Sequence, residues 1–454
     1  MRKNPPRVLI LSHSPLSGTQ NNGKTLTSLF AGWPREKLAQ LYFLDDQPGF
    51  DICGRFFQCT DAQMLRAMLT GAPAGSAVRE APVKPEQAPP SNSLRNSGNA
   101  HGGMPRAMLS ALRWVLNRHY PLPEYGRDLL WRSGRWRSPA LVEWLDAFSP
   151  EAVFFQGSNY PFAYDIAQWI CQRYGIKLLI QLTDDYTYVT HPLLPMAWVF
   201  RRRYLKKFKA GLARAQAVYA IGPAMQAEYA RRFGCDHIRV AANCVTLQDI
   251  APEPKEKTPL RLLYAGSLHT GRWRVLREIG RALLLLREEG QEATLEIYTP
   301  RPLPDGLRKK LTLEPAMAVC GSLTPQQLAQ EMGKANVLVM VESFKPGARK
   351  VTRLSLSTKI PEYMAAGRCI LAVGPADISS MAYLRQRNAA ILVDRPHRKE
   401  LLQGLRAAFD AQRRAANAQN GLDAVQKYHR QEALQEMIYG DIMKLDKASA
   451  QELP

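Results

Sequence analysis

Along this chain, short runs of consecutive apolar residues alternate with longer stretches whose apolar positions recur every three to four residues. In the first half the runs are Val8–Leu11, Leu41–Leu44, Ala152–Gln156, Lys177–Leu182, Ala217–Ile221 and Ile238–Ala241. In the second they are Arg261–Ala265, Ala293–Tyr298, Ala318–Cys320, Val337–Val341, Cys369–Val373 and Ala390–Val393. Short apolar strands separated by helices predict parallel sheets covered on both faces. Between the halves IAPEPKEKT, residues 250–258, has two prolines and no apolar period, so it reads as a linker. The expected division is 1–250, a linker at 251–259, a second α/β domain at 260–430, and a C-terminal helix and tail at 431–454.

Pro73–Pro105 breaks the alternation. It holds six Pro, four Gly and four Ser in 33 residues, with no aromatic residue. Such a stretch buries too little apolar area to order itself and is expected to form a mobile loop.

Composition narrows the picture modestly. A chain of 454 residues, 46% hydrophobic and 22% charged, can fill two or three cores. No apolar run approaches the roughly 18 residues needed to span a bilayer. VLIL near the start is too short for a signal peptide core. Seven cysteines without a CxxC pair fit a reducing cytoplasm rather than a disulfide framework or zinc site.

The net charge of +21 favours anionic partners. Met196–Arg232 carries nine Lys or Arg against one acid, and Arg106–Arg137 seven Arg against two acids, with Trp114, Trp131 and Trp136 interleaved. In the former, Val199, Phe200, Tyr204, Phe208 and Leu212 form a helical stripe beside Arg201, Arg202, Arg203, Lys206, Lys207 and Lys209. Both zones suit an anionic membrane surface, with the protein at its inner face. Nucleic acid is not the expected partner.

The chemistry concentrates in STKIPEYMAAG, Ser357–Gly367. Lying between two apolar runs, it predicts a helix with Ser357 or Thr358 as N-cap and Gly367 closing it. A helix start offers N–H groups to a phosphate. Lys359 in the first turn would reach the same phosphate, and Glu362, one turn on, would accept ribose hydroxyls.

This segment resembles the donor-binding motif of the retaining glycosyltransferases of family 4, in the capsule and lipopolysaccharide branch. The resemblance implies the GT-B fold: two Rossmann-like, doubly wound parallel-sheet domains facing across a cleft. It implies a hexosyltransferase-type enzyme that moves a sugar from a nucleoside diphosphate sugar to a glycan or lipid-linked glycan hydroxyl, with retention. No cofactor or metal is implied, because cationic side chains neutralise the diphosphate. The family usually has a second Glu eight residues before Glu362, and Leu354 stands there. That substitution keeps open an epimerase of the same fold or an inactive subunit.

Other segments follow the family in order. In LRLLYAGSLHTGRWRVL, Gly266 permits close backbone approach, and Arg272, with Arg274, would hold the diphosphate. Backbone groups of Gly321, Ser322 and Leu323 would read the base, and Thr324 would cap the next helix. Asn243 stands where the family has an Asn before the linker, with a structural role at least as good a reading. In LTDDYTYVTHP, Asp184 and Asp185 end a strand and would orient or deprotonate the acceptor, ahead of His191 and His13.

Gly18–Thr25, GTQNNGKT, also matches the GxxxxGK[ST] phosphate loop of NTPases. Two spacings weigh against that reading. Six residues separate Leu11 from Gly18, and the acidic strand end LYFLDD follows after only one short helix. The alternative is a cleft-facing loop in which Gly18, Asn22, Gly23 and Lys24 precede or open a helix running to Trp33.

Overall fold

The computed structural model describes residues 5–18, 21–80, 120–189, 191–245 and 259–449. The chain divides into two compact units, residues 1–180 with 186–218, and residues 181–185 with 219–454. Two sheets underlie them.

The first has eight strands in the order β4-β3-β2-β1-β5-β6-β7-β8. They are β1 (Val8–Ser12), β2 (Leu38–Tyr42), β3 (Arg55–Gln58), β4 (Ser76–Val78), β5 (Ala152–Gln156), β6 (Lys177–Leu182), β7 (Ala217–Ala220) and β8 (Ile238–Val240). β1 pairs in parallel with β2 and β5, Val8 opposite Leu38 and Ala152. Every residue of these three strands is buried, as central parallel strands require.

Three expectations need correction here. β2 begins at Leu38, not Leu41, because Gln40 is a core residue. Its amide accepts from Leu16 N–H and donates to Ser12 Oγ, which makes a polar residue tolerable inside the strand. β3 is absent from the expected set, since RFFQ is short. Part of the expected mobile loop is a strand, with β4 pairing antiparallel to β3. The rest of that stretch, 81–105, and the linker lie outside the described residues.

The second sheet has the order β11-β10-β9-β12-β13-β14. Its strands are β9 (Leu260–Ala265), β10 (Ala293–Tyr298), β11 (Met317–Gly321), β12 (Val337–Val341), β13 (Cys369–Val373) and β14 (Ile391–Val393). Each adjacent pair of these strands is parallel. The chain leaves β9 toward β11 on one side and toward β14 on the other, so the sheet reverses direction between β9 and β12.

The basic stripe also needs correction. In the helix Ala197–Arg214, Phe200, Tyr204, Phe208 and Leu212 are buried in the domain's own core, while Val199 is exposed. Arg201 is buried, donating to Asn159 Oδ1 and the Tyr186 carbonyl. Arg203 pairs with Asp128 and Asp165, and Lys207 with Asp165. Trp131 and Trp136 are core residues as well, and Trp114 lies outside the described residues. All seven cysteines are free thiols. No helix among the described residues is long and apolar enough to cross a membrane.

Candidate functional site

Open α/β sheets bind ligands beyond the carboxyl ends of their strands, where the strand order reverses. In the second sheet this point lies between β9 and β12, and four chemically active side chains meet there. β9 ends at Ala265, and Gly266 follows with φ +149°, its N–H donating to the Tyr298 carbonyl. A side chain at Gly266 would displace the Lys359 ammonium, because its Cβ would lie 1.7 Å from Lys359 Nζ, and the glycine's φ of +149° is one that other residues rarely adopt.

Lys359 comes from the helix Lys359–Ala365, capped by Thr358 without a side-chain hydrogen bond. Gly367 turns the chain at its end, φ +64°, donating to the Met364 carbonyl. The helix start offers less to a ligand than its sequence implies. It spans seven residues, and Ser357 N–H is already given to Ser380 Oγ at 3.0 Å. Positive charge at the site therefore comes from side chains. Tyr363, on the same helix, accepts from Ala265 N–H and donates to the Ala265 carbonyl, which fixes the helix against the strand end.

Lys359 Nζ lies 4.6 Å from the centre of the Tyr264 ring and has no carboxylate within ion-pair distance. Burial pushes its ammonium down to about 7, helped by the neighbouring Arg272 guanidinium and opposed by Glu342 and Glu362. Arg272 begins the helix Arg272–Glu288 and donates to Glu342 Oε2 at 2.7 Å. Its Nε is buried and has no hydrogen-bond partner. Glu342, just past β12, is buried, and its own N–H donates to the Val373 carbonyl. Glu362 is half-buried one turn beyond Lys359.

The expected base-reading segment lies on the same sheet edge. Gly321, φ +97°, ends β11, and its carbonyl accepts from Thr299 N–H. Gly321 and Ser322 are exposed and Leu323 half-exposed. Two strand spacings, about 10 Å, separate the ends of β9 and β11, the reach of a nucleoside from its diphosphate. Thr324 caps the helix Pro325–Lys334 through a capping box with Gln327.

Arg274 is not brought to the cluster. Two residues from Arg272 on one helix, it points away and lies exposed over the Trp273 ring at 5.3 Å. Leu354 is buried, so no polar group replaces the missing Glu at that position. Sequence reading missed Glu342, which looked like the mere end of an apolar run. Its place at the end of a parallel strand next to β9 was the available signal. It also missed Lys345, which is exposed and whose side chain passes over Gly271.

In the first sheet the order reverses between β1 and β5. His13 follows β1 there, and its ring lies 4.8 Å from that of Tyr160, after β5. Asp184 and Asp185 follow β6, one strand further out. Ser355 Oγ donates to Asp184, and Asp185 is buried, accepting from Tyr229 OH and facing Arg353 at 3.7 Å. The expected ranking of the two aspartates over His13 is thus not what topology favours. His191 is exposed beside the Tyr120 ring, at 4.9 Å. Asn243 is buried, its main-chain carbonyl accepts from His429 Nδ1 at 2.7 Å, and burial pushes the His429 imidazole down to about 4.

The GxxxxGK[ST] segment takes a different form from the expected one. The helix spans Asn21–Phe30, so Asn22 and Gly23 lie inside it rather than before it. A Cβ at Gly23 would meet the Pro15 carbonyl at 2.5 Å. The protein's own backbone fills the crook at that glycine. Gly18 and Lys24 are exposed.

Residues 98–249 match the family model Glycosyltransferase Family 4. No curated protein matches the sequence. Among solved structures, a glycosyltransferase from Rickettsia africae ESF-5 is similar at 11% identity and TM-score 0.55, with 96% of this chain and 99% of that one covered. An alpha,alpha-trehalose 6-phosphate synthase from Burkholderia multivorans is similar at 12% identity and TM-score 0.56, with 99% of each covered. The E. coli trehalose-6-phosphate protein bound with UDP-2-fluoro glucose is similar at 10% identity and TM-score 0.58, with 96% and 98% covered. At such identity the structural likeness speaks for the fold alone, and the family match speaks for residues 98–249. Taken together, they give this chain the GT-B fold, with a segment at residues 98–249 that matches Glycosyltransferase Family 4.

Proposed function

We propose that the protein transfers a hexosyl unit from a nucleoside diphosphate sugar to a hydroxyl of a glycan or lipid-linked glycan, with retention at the anomeric carbon. One observation carries the donor side: Lys359 and Arg272 stand beside Gly266 at the reversal of the second sheet, with one desolvated ammonium and one unpartnered guanidinium Nε. A diphosphate is the ligand chemistry that completes such a pair.

In this reading Arg272 and Lys359 hold the two phosphates and neutralise charge as the sugar–phosphate bond breaks, so no metal is required. Glu362 accepts ribose hydroxyls, and backbone groups from Gly321 to Leu323 meet the base. Retention rests on the resemblance of STKIPEYMAAG to the retaining family. His13, with Asp184 and Asp185 further along the same edge, marks the acceptor side.

Buried Leu354 favours a second reading, in which the same site binds donor without transferring it or epimerises the sugar. Donor turnover with and without a hydroxyl acceptor separates the three. Transfer requires acceptor, epimerisation proceeds without it, and a non-catalytic subunit consumes no donor. Screening uridine, guanosine and adenosine diphosphates by thermal shift identifies the base. At about 100 times its dissociation constant the right one adds about 2.7 kcal/mol of stability. No shift with any of the three contradicts the donor assignment.

A further inference from the structure

Ten large hydrophobic side chains are exposed among the described residues, and four of them fall within seven positions: Leu193 (97%), Leu194 (39%), Trp198 (60%) and Val199 (49%). Elsewhere exposed apolar residues are scattered, which needs no explanation. Here they are concentrated on a segment held firmly in shape. Leu194 N–H donates to the His191 carbonyl, Ala197 N–H to Leu194, and Phe200 N–H to Met196. Trp198 Nε1 donates to the Pro192 carbonyl at 3.1 Å, so the indole's polar atom is satisfied while its ring stays in solvent. Pro192, Pro195 and a left-handed Met196, φ +66°, complete a stiff turn with its apolar residues outward. The Tyr120 ring stands against His191, at 4.9 Å.

The helix that follows changes character along its outer face. Trp198, Arg202, Lys206 and Lys209 are spaced four, four and three apart, so they share one side, and all are exposed. Among the described residues Arg202 and Lys206 have no ion-pair partner, unlike Arg203 and Lys207 on the neighbouring stripe. An apolar tip with an indole, continued by exposed cations, matches the depth profile of a bilayer surface: acyl boundary, indole level, anionic headgroups. A second copy of this chain fits poorly, because each copy carries +21 and would bring like charges together.

We propose that Pro192–Val199 is a preformed wedge that inserts into the headgroup–acyl boundary of an anionic membrane, with Arg202 and Lys206 on the headgroups. The amphipathic stripe of the same helix is core and takes no part. β6 and β7 are neighbours joined by this helix, a crossover that keeps both strands pointing the same way. The helix therefore starts at the carboxyl edge of the strands, where sheets of this kind bind ligands. That placement deepens the acceptor side of the proposed reaction, on which it rests: the acceptor hydroxyl is carried by a membrane-borne amphiphile.

Flotation of the full chain with phosphatidylglycerol/phosphatidylcholine vesicles tests this, beside phosphatidylcholine alone. The wild type is expected to float with anionic vesicles only, and less in high salt as screening shortens to a few ångström. Leu193→Asp with Trp198→Asp should weaken binding at least about tenfold, since each buries a large apolar side chain on insertion. Arg202→Glu with Lys206→Glu should weaken it and reduce the salt dependence. Leu69→Asp, equally exposed but elsewhere, should leave it unchanged, with far-UV circular dichroism confirming folding of all variants. Absence of wild-type binding overturns the proposal, as does equal loss in Leu69→Asp. A dimer that disappears in Leu193→Asp/Trp198→Asp, with no vesicle binding, assigns the wedge to self-association instead. Lys359→Ala should still float; wild-type vesicle binding with no transfer in any assay condition would sink the proposed reaction while leaving the wedge intact.

Discussion

Arg203 and Lys207 meet two carboxylates, Asp128 and Asp165, within ion-pair distance. Near Arg272 and Lys359 stand Glu342 and Glu362, and among the described residues the one ion pair formed is that of Arg272 with Glu342. Both clusters pair an arginine with a lysine in partly buried surroundings, and their chemistry is opposite. The first is electrostatically closed and serves to fasten the helices Pro121–Arg132 and Pro161–Tyr174 to the helix Ala197–Arg214. The second leaves one ammonium on an aromatic face and one guanidinium nitrogen unmatched. Composition alone cannot tell a clamp from a strut. What separates them is whether the carboxylates that complete the set come from the protein.

The sharpest way to break the comparison is to open the closed cluster. Asp128→Ala leaves Arg203 half-matched in a buried setting and should cost about 3–5 kcal/mol in urea unfolding. A loss below about 1 kcal/mol would mean that the strut is no strut. Opening the other cluster should have the reverse pattern. Lys359→Ala should lower kcat/KM for donor about 10²–10³-fold while the protein stays folded. Lys359→Met should even raise the thermal midpoint at pH 7. The sign follows from the depressed ammonium, whose folded value near 7 lies below its unfolded one. The unfolded chain then binds the extra proton, so the lysine costs stability fully below pH 7 and progressively less toward pH 10.5. A lower midpoint for the methionine variant would contradict the open-site account.

Glu342→Gln sharpens the comparison from the anionic side. It removes a negative charge beside the bound phosphates, so nucleoside diphosphate affinity should rise severalfold. Stability should fall by about 1–3 kcal/mol because Arg272 loses its charged partner. Unchanged affinity would place Glu342 outside the site. The smallest effect belongs to Arg274→Ala. Exposed over Trp273, it should change kcat/KM by less than about twofold, near the value of a surface contact.

The sheet plan was largely legible, because runs such as VLIL, VLVMV and CILAV are apolar throughout and only a doubly covered strand wants that. Strand β2 was displaced in the sequence reading by Gln40, whose burial depends on hydrogen bonds to residues 24 and 28 positions away. The proposed donor site is readable in the sequence where it is local: Lys359, Glu362 and Gly266 lie in motifs. Glu342 and the divergent fates of Arg272 and Arg274 are tertiary facts, set by which helix face meets β12. The basic stripe misled for a related reason. Charge density along a helix does not reveal that Asp128 and Asp165, far away in sequence, are waiting opposite it.

The account's central claim is that Lys359 is an open cation awaiting a diphosphate, and calorimetric titration of the cognate nucleoside diphosphate tests it most directly. At pH 8, in two buffers of different ionisation enthalpy, binding should take up nearly one proton, because the phosphates restore the ammonium that burial had pushed down to about 7. Affinity should then fall by up to about tenfold per pH unit above 7. In Lys359→Met the proton uptake should vanish and binding weaken. Equal affinity and equal proton uptake in wild type and Lys359→Met would contradict the account.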